Sequence, residues 1–208
     1  PIYWEEKLIK CFMFFTNSKG INFMARDKLF LRGPYGNGFD VNNYKGKEIT
    51  VVAGGTGLSP VRGVVEYFAE NREEAENFNL ICGFKSPEDI LFKDDLKLWE
   101  DKMNLILTVD KAHEGYAGNT GLVTTFIPEL EIKDINNTAF IVVGPPMMMK
   151  FTVLEILKRG VPEENIWISH ERKMCCGLGK CGHCKIDDTY ICLDGPVFNY
   201  TKGKNLVD

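Results

Sequence analysis

The sequence predicts an α/β fold, with a parallel five-stranded sheet and helices on both faces. From Lys47 onward, short apolar segments rich in β-formers alternate with helix-like segments, which is typical of parallel strands joined by crossover helices. A glycine-rich loop follows the first of these strands, and a Gly-Pro-Pro turn follows the fourth. The last part of the chain is a separate cysteine-rich appendage, in which five of the seven cysteines fall within residues 175–192.

Each element of the predicted sheet has its own local signal. Strands are predicted at 48–53, 79–84, 103–109, 139–143 and 165–168, and helices at 60–72, 94–100 and 146–158. The first helix has four apolar residues at helical spacing between Val61 and Phe68. The last helix begins at Pro146 and is closed by Gly160. Before this pattern, residues 28–31 are predicted to form one further strand.

Composition narrows the class of protein. Charged residues make up 26% of the 208 residues and the net charge is −4, so the surface lacks the basic character of nucleic-acid-binding proteins. No apolar run approaches the roughly 20 residues of a membrane-spanning helix, and no signal peptide is visible. An odd number of cysteines crowded at one end is unlike a secreted disulfide framework. We therefore expect a cytoplasmic protein with a metal or cluster site.

A glycine-rich loop joins the first strand to the first helix. It consists of Gly54, Gly55, Thr56 and Gly57. Ser59 is predicted to cap the helix and Pro60 to occupy its first position, which leaves backbone N–H groups that attract a pyrophosphate. The loop does not match G-x-G-x-x-G, and glycine turns at this place also occur for structural reasons. Nucleotide binding is the prediction, and a purely structural turn is the alternative.

A second strand-to-helix turn runs from Val143 to Met149 and is predicted to flank the same crevice. Its three consecutive methionines are flexible apolar residues that commonly fill gaps in a core. We expect two of the three to do so.

The strongest signal is the spacing Cys176-x4-Cys181-x2-Cys184-x7-Cys192. It matches the plant-type [2Fe–2S] pattern, in which each iron takes two thiolates. Three glycines within the loop supply backbone freedom, and their N–H groups can donate to sulfur. A structural zinc site is the main alternative, although zinc ribbons usually have two separated C-x2-C pairs. Cys175 is interpreted as a non-ligand neighbour, and an exchange of roles with Cys176 stays open.

These motifs, in this order, resemble the ferredoxin–NADP reductase superfamily. A flavin-contacting segment of that family is similar to Gly33, Pro34, Tyr35 and Gly36. Its nicotinamide-nucleotide loop is similar to Gly54, Gly55, Thr56 and Gly57, followed by Pro60. Its nicotinamide-side turn is similar to Gly144, Pro145 and Met147. The nucleotide crevice is expected to include Asp110 with Gly118, Thr120 and Gly121, and the alternative is that these are ordinary loop residues.

The cysteine motif narrows the resemblance to electron-transfer subunits of multi-subunit enzymes. It looks most like the B subunit of anaerobic sulfite reductase, with the gamma subunit of sulfhydrogenases and the electron-transfer subunit of dihydroorotate dehydrogenase as relatives. The resemblance implies NAD(P)H, FAD and a [2Fe–2S] cluster as cofactors. It also implies a sulfite reductase-like catalytic partner and, as a second candidate, a ferredoxin-like subunit.

The expected function is therefore electron transfer from NAD(P)H, by way of FAD and the cluster, to a partner subunit that reduces sulfite. Two alternatives are a flavin-free iron–sulfur carrier or docking module, and the electron-transfer subunit of a hydrogenase or a dihydroorotate dehydrogenase. No general acid or base is required for such a relay, so no catalytic residue is predicted.

The resemblance also divides the chain into three parts. Residues 1–46 are expected to be the remnant of a flavin-binding β-barrel, 47–170 an NAD(P)-binding domain, and 171–208 a [2Fe–2S] segment. The barrel is expected to be truncated because fewer than 35 residues precede Gly33, and no arginine precedes Arg26 to provide the family's flavin-phosphate motif.

Overall fold

The fold is given by a computed structural model that describes residues 33–206. The predicted strand at 28–31 and most of the predicted barrel remnant lie outside these residues. No helix within residues 33–206 is long and apolar enough to cross a membrane.

The described residues contain all five predicted strands and all three predicted helices, with ends that differ by at most two residues. The strands are β1 (Glu48–Gly54), β2 (Asn77–Phe84), β3 (Asn104–Val109), β4 (Asn119–Thr120), β5 (Thr138–Val143), β6 (Ile166–Ser169), β7 (Lys185–Ile186), β8 (Thr189–Tyr190) and β9 (Val197–Asn199). The α-helices are α1 (Leu58–Glu70), α2 (Lys93–Glu100), α3 (Pro146–Lys158), α4 (Ile191–Asp194) and α5 (Tyr200–Gly203). Single turns of 3-10 helix lie at Val41–Asn43, Gly55–Gly57, Arg72–Glu74, Pro87–Asp89, Val123–Phe126, Ile135–Asn137 and Glu163–Asn165.

Seven strands form the main sheet of the described residues, in the order β4-β3-β2-β1-β5-β6-β9. Every neighbouring pair is parallel except β6 and β9, which are antiparallel. The expected count of five parallel strands is therefore too low. The two added edge strands have only two and three residues, which is too short for an apolar pattern to indicate them. Because β9 lies beyond the cysteine loop, part of the predicted appendage completes the sheet.

Helices cover both faces of the sheet, as the sequence predicts. Successive residues of β1 point to opposite faces, so Val51 and Ala53 pack in a core with α1 and α2, while Val52 packs in a second core with α3. The four apolar residues that indicated α1, from Val61 to Phe68, are all fully buried. Burying each such side chain contributes on the order of 1.5–3 kcal/mol to stability.

The segment that precedes β1 joins the first of these cores. Phe39, Val41 and Tyr44 are buried among residues of α1 and β1, and the Tyr44 ring meets the Trp167 ring edge-on with centroids 5.1 Å apart. At its other end, this segment forms a β-bridge between Asn37 and Pro196. Residues 33–46 therefore connect the sheet core with the C-terminal region.

Candidate cofactor sites

The two glycine turns meet at the centre of the sheet. From β1 the chain continues outward through β2, β3 and β4, and then returns to β5 on the other side of β1. Such a reversal of strand order opens a crevice outside the carboxyl ends of the strands, where α/β proteins bind ligands. Both turns follow the strands that border this switch point.

The loop after β1 is open on its outer side. Gly55 has a φ of +55°, in the left-handed region that glycine tolerates best. A Cβ atom placed on Gly55 would have no other atom within 4 Å. The loop backbone at Gly55 can therefore be approached closely by a ligand.

Gly57 has the opposite environment, because it packs directly against the second turn. A Cβ atom on Gly57 would overlap the carbonyl group of Val143, and would lie 3.0 Å from Cα of Gly144. Close contact between the two turns therefore requires glycine at position 57.

The start of α1 differs from the prediction. The helix begins at Leu58 with Gly57 as its N-cap residue, so Ser59 lies within the first turn and is not the cap. Pro60 is the third residue of the helix and not the first. Backbone N–H groups of the first turn have no partner within the helix, so the missing N–H of proline costs no helical hydrogen bond there. The physical reason is the 3-10 turn at Gly55–Gly57, which starts winding the chain before the expected cap.

The methionines of the second turn divide as expected. Met149 is buried and Met148 is half-buried against the core of α3, whereas Met147 is 60% exposed. The Met148 side chain also fills the space beside Gly54 and Gly144, where a Cβ atom would overlap its sulfur. Two of the three methionines therefore fill the interior, and the third faces the crevice.

A cavity of about 720 Å³ extends from the crevice towards the C-terminal region. Five of the predicted cofactor-binding residues line it: Thr56, Gly57, Gly144, Pro145 and Met147. Its opposite wall consists of residues that follow β6 and residues of the C-terminal segment, including His170, Glu171, Tyr200 and Lys204. The cavity is therefore shared between the sheet domain and the segment that follows it.

Several polar residues of this cavity were not indicated by any motif, among them Lys150, His170 and Glu171. His170 Nε2 lies 3.0 Å from the carbonyl oxygen of Gly203, so Nε2 carries the proton. Burial lowers the pKa of His170. A usable signal existed, because His170 and Glu171 directly follow Ser169 at the end of a parallel strand, where ligand-contacting residues are common.

Asp110 lies at the same edge of the sheet but two strands away from β1. Its backbone N–H donates to the carbonyl oxygen of Phe84 at 2.9 Å. The neighbouring loop is held by Thr108 Oγ1, which donates to the carbonyl oxygen of Gly121 at 2.8 Å. The structure thus brings Asp110 beside Gly121, and leaves both outside the cavity described above.

The four predicted ligand cysteines come together as two pairs. Beside backbone donors, hydrogen bonding with Cys181 lowers the pKa of Cys176. Beside burial, hydrogen bonding with Cys184 raises the pKa of Cys192, and the charge of Cys176 raises it further, so the two pairs are also neighbours. Within residues 33–206, no three His, Cys, Asp or Glu side chains converge on one ion position. A structural zinc ion needs four donors around a single point, whereas a two-iron cluster needs two thiolates on each iron. The pairing fits a two-iron cluster, and Cys175 lies outside both pairs.

The backbone of the cysteine loop is shaped for these sulfurs. Its three glycines have left-handed φ values: +72° at Gly177, +67° at Gly179 and +77° at Gly182. The N–H of Leu178 donates to Cys176 Sγ at 3.3 Å, and the N–H of Gly179 donates to Cys192 Sγ at 3.2 Å. Hydrogen bonds from the backbone N–H groups of Leu178, Lys180 and Cys181, that of Leu178 first, lower the pKa of Cys176 to about 6. The loop therefore favours a thiolate, which is the form that binds metal.

The two pairs differ in depth. Cys184 and Cys192 are buried, whereas Cys181 is exposed and Cys176 is half-exposed. Burial raises the pKa of Cys192. One pair therefore faces the interior and the other faces the surface.

The predicted flavin-contacting segment lies against this loop. A Cβ atom on Gly177 would be 2.9 Å from three atoms of the Tyr35 ring, so the ring covers the Cα of Gly177. Gly36 has a φ of +70°, and its Cα approaches the carbonyl group of Gly195 so closely that a side chain would overlap it. The segment and the cysteine loop are therefore direct neighbours.

Comparison with known proteins identifies both parts of the chain. Residues 51–153 match the family model of the oxidoreductase NAD-binding domain. Residues 171–202 match the iron–sulfur cluster binding domain of dihydroorotate dehydrogenase B.

Two curated relatives match most of this chain. The sulfhydrogenase 2 subunit gamma of Pyrococcus furiosus is 37% identical over 84% of this chain and 66% of its own length. The electron transfer subunit of dihydroorotate dehydrogenase B (NAD(+)) from Clostridium perfringens is 31% identical over 90% of this chain and 73% of its own length. The chain therefore spans just under two thirds of the sulfhydrogenase subunit.

A solved structure of an NADH-dependent reduced ferredoxin-NADP oxidoreductase, studied for flavin-based electron bifurcation, has the same fold. It is 26% identical with a TM-score of 0.62, and the match covers 88% of this chain and 60% of that one. The expectation of a sulfite reductase subunit finds no support in these comparisons. The alternative, an electron-transfer subunit of the hydrogenase or dihydroorotate dehydrogenase type, fits them better.

Proposed function

We propose a function for this chain from its family: it belongs to the NAD-binding, iron–sulfur electron-transfer subunits that include those of dihydroorotate dehydrogenase B and the sulfhydrogenases. In this proposal it accepts electrons from NADH or NADPH and delivers them to a catalytic partner subunit. That partner is a hydrogenase or a dihydroorotate dehydrogenase.

One observation carries the proposal, namely the two-by-two pairing of four cysteines in a segment that also lines the cavity of an NAD-binding fold, through Ile186 two residues after Cys184. We propose that Cys176 and Cys181 hold one iron of a [2Fe–2S] cluster, and that Cys184 and Cys192 hold the other. The pairing supports this assignment because each iron of such a cluster requires two thiolates.

The chain's residues have separate roles in the crevice. The loop at Gly55, Thr56 and Gly57 offers backbone N–H groups and a helix N-terminus to the pyrophosphate of the nucleotide. Gly144, Pro145 and Met147 shape the far end of the crevice, where the nicotinamide ring would lie. Val143, Met149 and Ile168 give the cavity apolar surface against which a ring can pack.

FAD is the third proposed cofactor, and it would lie against Gly33, Pro34, Tyr35 and Gly36. When bound, FAD and the cluster supply the conversion of a two-electron hydride donor into single electrons. The division of the chain into 1–46, 47–170 and 171–208 is part of the same proposal. In it, the first part contributes to the flavin site, the second binds the nucleotide and the third holds the cluster.

The proposal is tested by purifying the chain without oxygen, and by measuring iron, acid-labile sulfide, zinc and flavin together with the visible spectrum. Two irons and two sulfides per chain, with absorbance that bleaches on addition of NADH in the presence of FAD, are the expected result. Iron and sulfide with no uptake of added FAD would support the flavin-free carrier instead. Zinc in place of iron would refute the cluster assignment.

A further inference from the structure

We infer that Asn37 is a positioning residue for the iron–sulfur cluster, because it holds the backbone after Cys192 and thereby keeps an N–H donor on the Cys192 sulfur. Asn37 directly follows the predicted flavin-contacting segment, residues 33–36, and is far from the cysteine loop in sequence. The inference rests on the proposed function, since it assumes that the four paired cysteines hold a cluster.

Asn37 directs most of its hydrogen-bonding groups at one short stretch of chain. Its side-chain amide donates to the carbonyl oxygens of Leu193 and Asp194, at 3.0 and 3.3 Å. Its backbone N–H donates to the carbonyl oxygen of Gly195 at 2.5 Å, and its own carbonyl oxygen accepts from Val197 N–H at 3.3 Å. The three carbonyl groups belong to the residues that immediately follow Cys192.

The backbone of residues 193–195 is connected to the Cys192 sulfur through the side chain of Leu193. A Cβ atom on Gly179 would overlap Cδ1 of Leu193, so the Leu193 side chain lies directly over the Cα of Gly179. Gly179 in turn donates its N–H to Cys192 Sγ at 3.2 Å. Asn37 therefore fixes Leu193, Leu193 covers Gly179, and Gly179 keeps its donor on the ligand sulfur.

Residues on either side of Asn37 fix its position. Phe39, two residues later, is 2% exposed and packs in the core between the sheet and α1. On the other side, the Tyr35 ring covers Gly177, which follows the ligand Cys176. The segment therefore touches the cysteine loop beside one ligand of each pair, while its far end is anchored in the sheet domain.

The expected consequence is electrostatic. Reduction adds negative charge to the cysteine sulfurs, and an N–H donor stabilises that charge, so such hydrogen bonds raise the reduction potential of a cluster. A looser Leu193 would weaken the bond from Gly179 to Cys192. The midpoint potential should then move to a more negative value without any change of ligand.

The test compares Asn37→Ala and Asn37→Asp with Asn42→Ala in the full chain. Asn42 is a matched control, because its amide bonds only locally, to Asp40 Oδ1 at 2.9 Å, in the same segment. Anaerobic redox titrations followed by electron paramagnetic resonance should show a more negative midpoint for both Asn37 variants, at equal iron and sulfide content. The control should match the wild type. Equal midpoints in all four proteins would overturn the inference.

Leu193→Ala tests the route. If Asn37 acts through Leu193, the double variant Asn37→Ala/Leu193→Ala should shift the midpoint no further than the larger single shift, because the two residues share one effect. Additive shifts would mean that Asn37 does not act through Leu193, and would overturn the inference.

For variants that do not retain iron, the inference is tested by a measurement on the cluster-free chain. Amide hydrogen exchange at Gly179 should be faster in the Asn37 variants than in the wild type and in Asn42→Ala, all measured without metal. Unchanged exchange would overturn the inference even where no potential can be measured. Wild-type chain that takes up no iron would refute the proposed function, and the exchange experiment would still decide whether Asn37 holds the loop.

Discussion

Ala53 on β1 and Val143 on β5 are paired neighbours on parallel strands, and each is followed directly by a glycine of a turn that borders the crevice. Because the strands are parallel and in register, the two turns leave the sheet at the same height. The packing of Gly57 against the Val143 carbonyl group follows from this pairing. A single crevice therefore combines residues that are about 90 positions apart in sequence.

Gly55→Ala should weaken nucleotide binding while leaving the fold intact. The new methyl group meets no protein atom within 4 Å, but it occupies the open side of the loop. A pyrophosphate bound as we propose would approach from that side. The left-handed φ costs about 1–2 kcal/mol of stability. We expect a loss of about tenfold or more in NADH affinity, which corresponds to about 1.4 kcal/mol or more, measured by calorimetry.

Gly46→Ala is the matched control for that variant. Gly46 also has a left-handed φ, +71°, and open space around its Cα, but it precedes β1 at the opposite end of the strand. It should lose similar stability and retain its NADH affinity. An equal loss of affinity in both variants would contradict a direct role for Gly55.

Cys181→Ser should abolish the cluster, whereas Cys175→Ser should not. Cys181 belongs to a thiol pair, and Cys175 lies outside both pairs. Iron and sulfide content, with the paramagnetic resonance spectrum of the dithionite-reduced protein, distinguishes the two outcomes. Loss of iron in Cys175→Ser together with retention in Cys181→Ser would reverse the ligand assignment.

Acidification should destabilise the C-terminal region through His170. Burial holds the pKa of His170 below its ordinary value of 6.5, so the unfolded chain binds this proton more readily than the folded chain. The contribution of His170 to the free energy of unfolding is complete above about pH 6.5. It is lost as the pH falls from there to the lowered pKa of the folded state.

His170→Gln keeps an N–H donor for the carbonyl oxygen of Gly203 and removes the titration. Thermal unfolding of both proteins at pH 7.5, 6.5 and 5.5 should therefore show a smaller loss of Tm in the variant. Parallel losses in the two proteins would exclude His170 as the source.

Asn79→Ala should destabilise the sheet by about 2 kcal/mol, because it removes two hydrogen bonds at a buried position. Asn79 donates to Thr50 Oγ1 at 3.2 Å and accepts from Asn104 Nδ2 at 3.0 Å, across three strands. The midpoint of urea unfolding measures this loss. Asn136→Ala, at an exposed position, should change stability by less than about 0.5 kcal/mol. A loss in Asn136→Ala as large as that in Asn79→Ala would show that burial of the amide is not the cause.

Relations between neighbours along the chain could be predicted from the sequence. The apolar spacing from Val61 to Phe68 indicated a buried helix face, because helical periodicity is a local property. The spacing of Cys176, Cys181 and Cys184 indicated a cluster loop for the same reason. Such motifs did not assign the partner enzyme, since this one chain is similar both to a sulfhydrogenase subunit and to a dihydroorotate dehydrogenase subunit.

By itself, the sequence determined the α/β class, the two glycine turns and the cysteines that form the loop, because each depends on residues close together in the chain. Only the tertiary structure decided which strands border the crevice, that β9 completes the sheet, and that the cysteines pair two by two. It also placed His170 in the cavity and brought Asn37 to Leu193, 156 residues away. Contacts of that kind arise from packing between elements, and no local spacing encodes them.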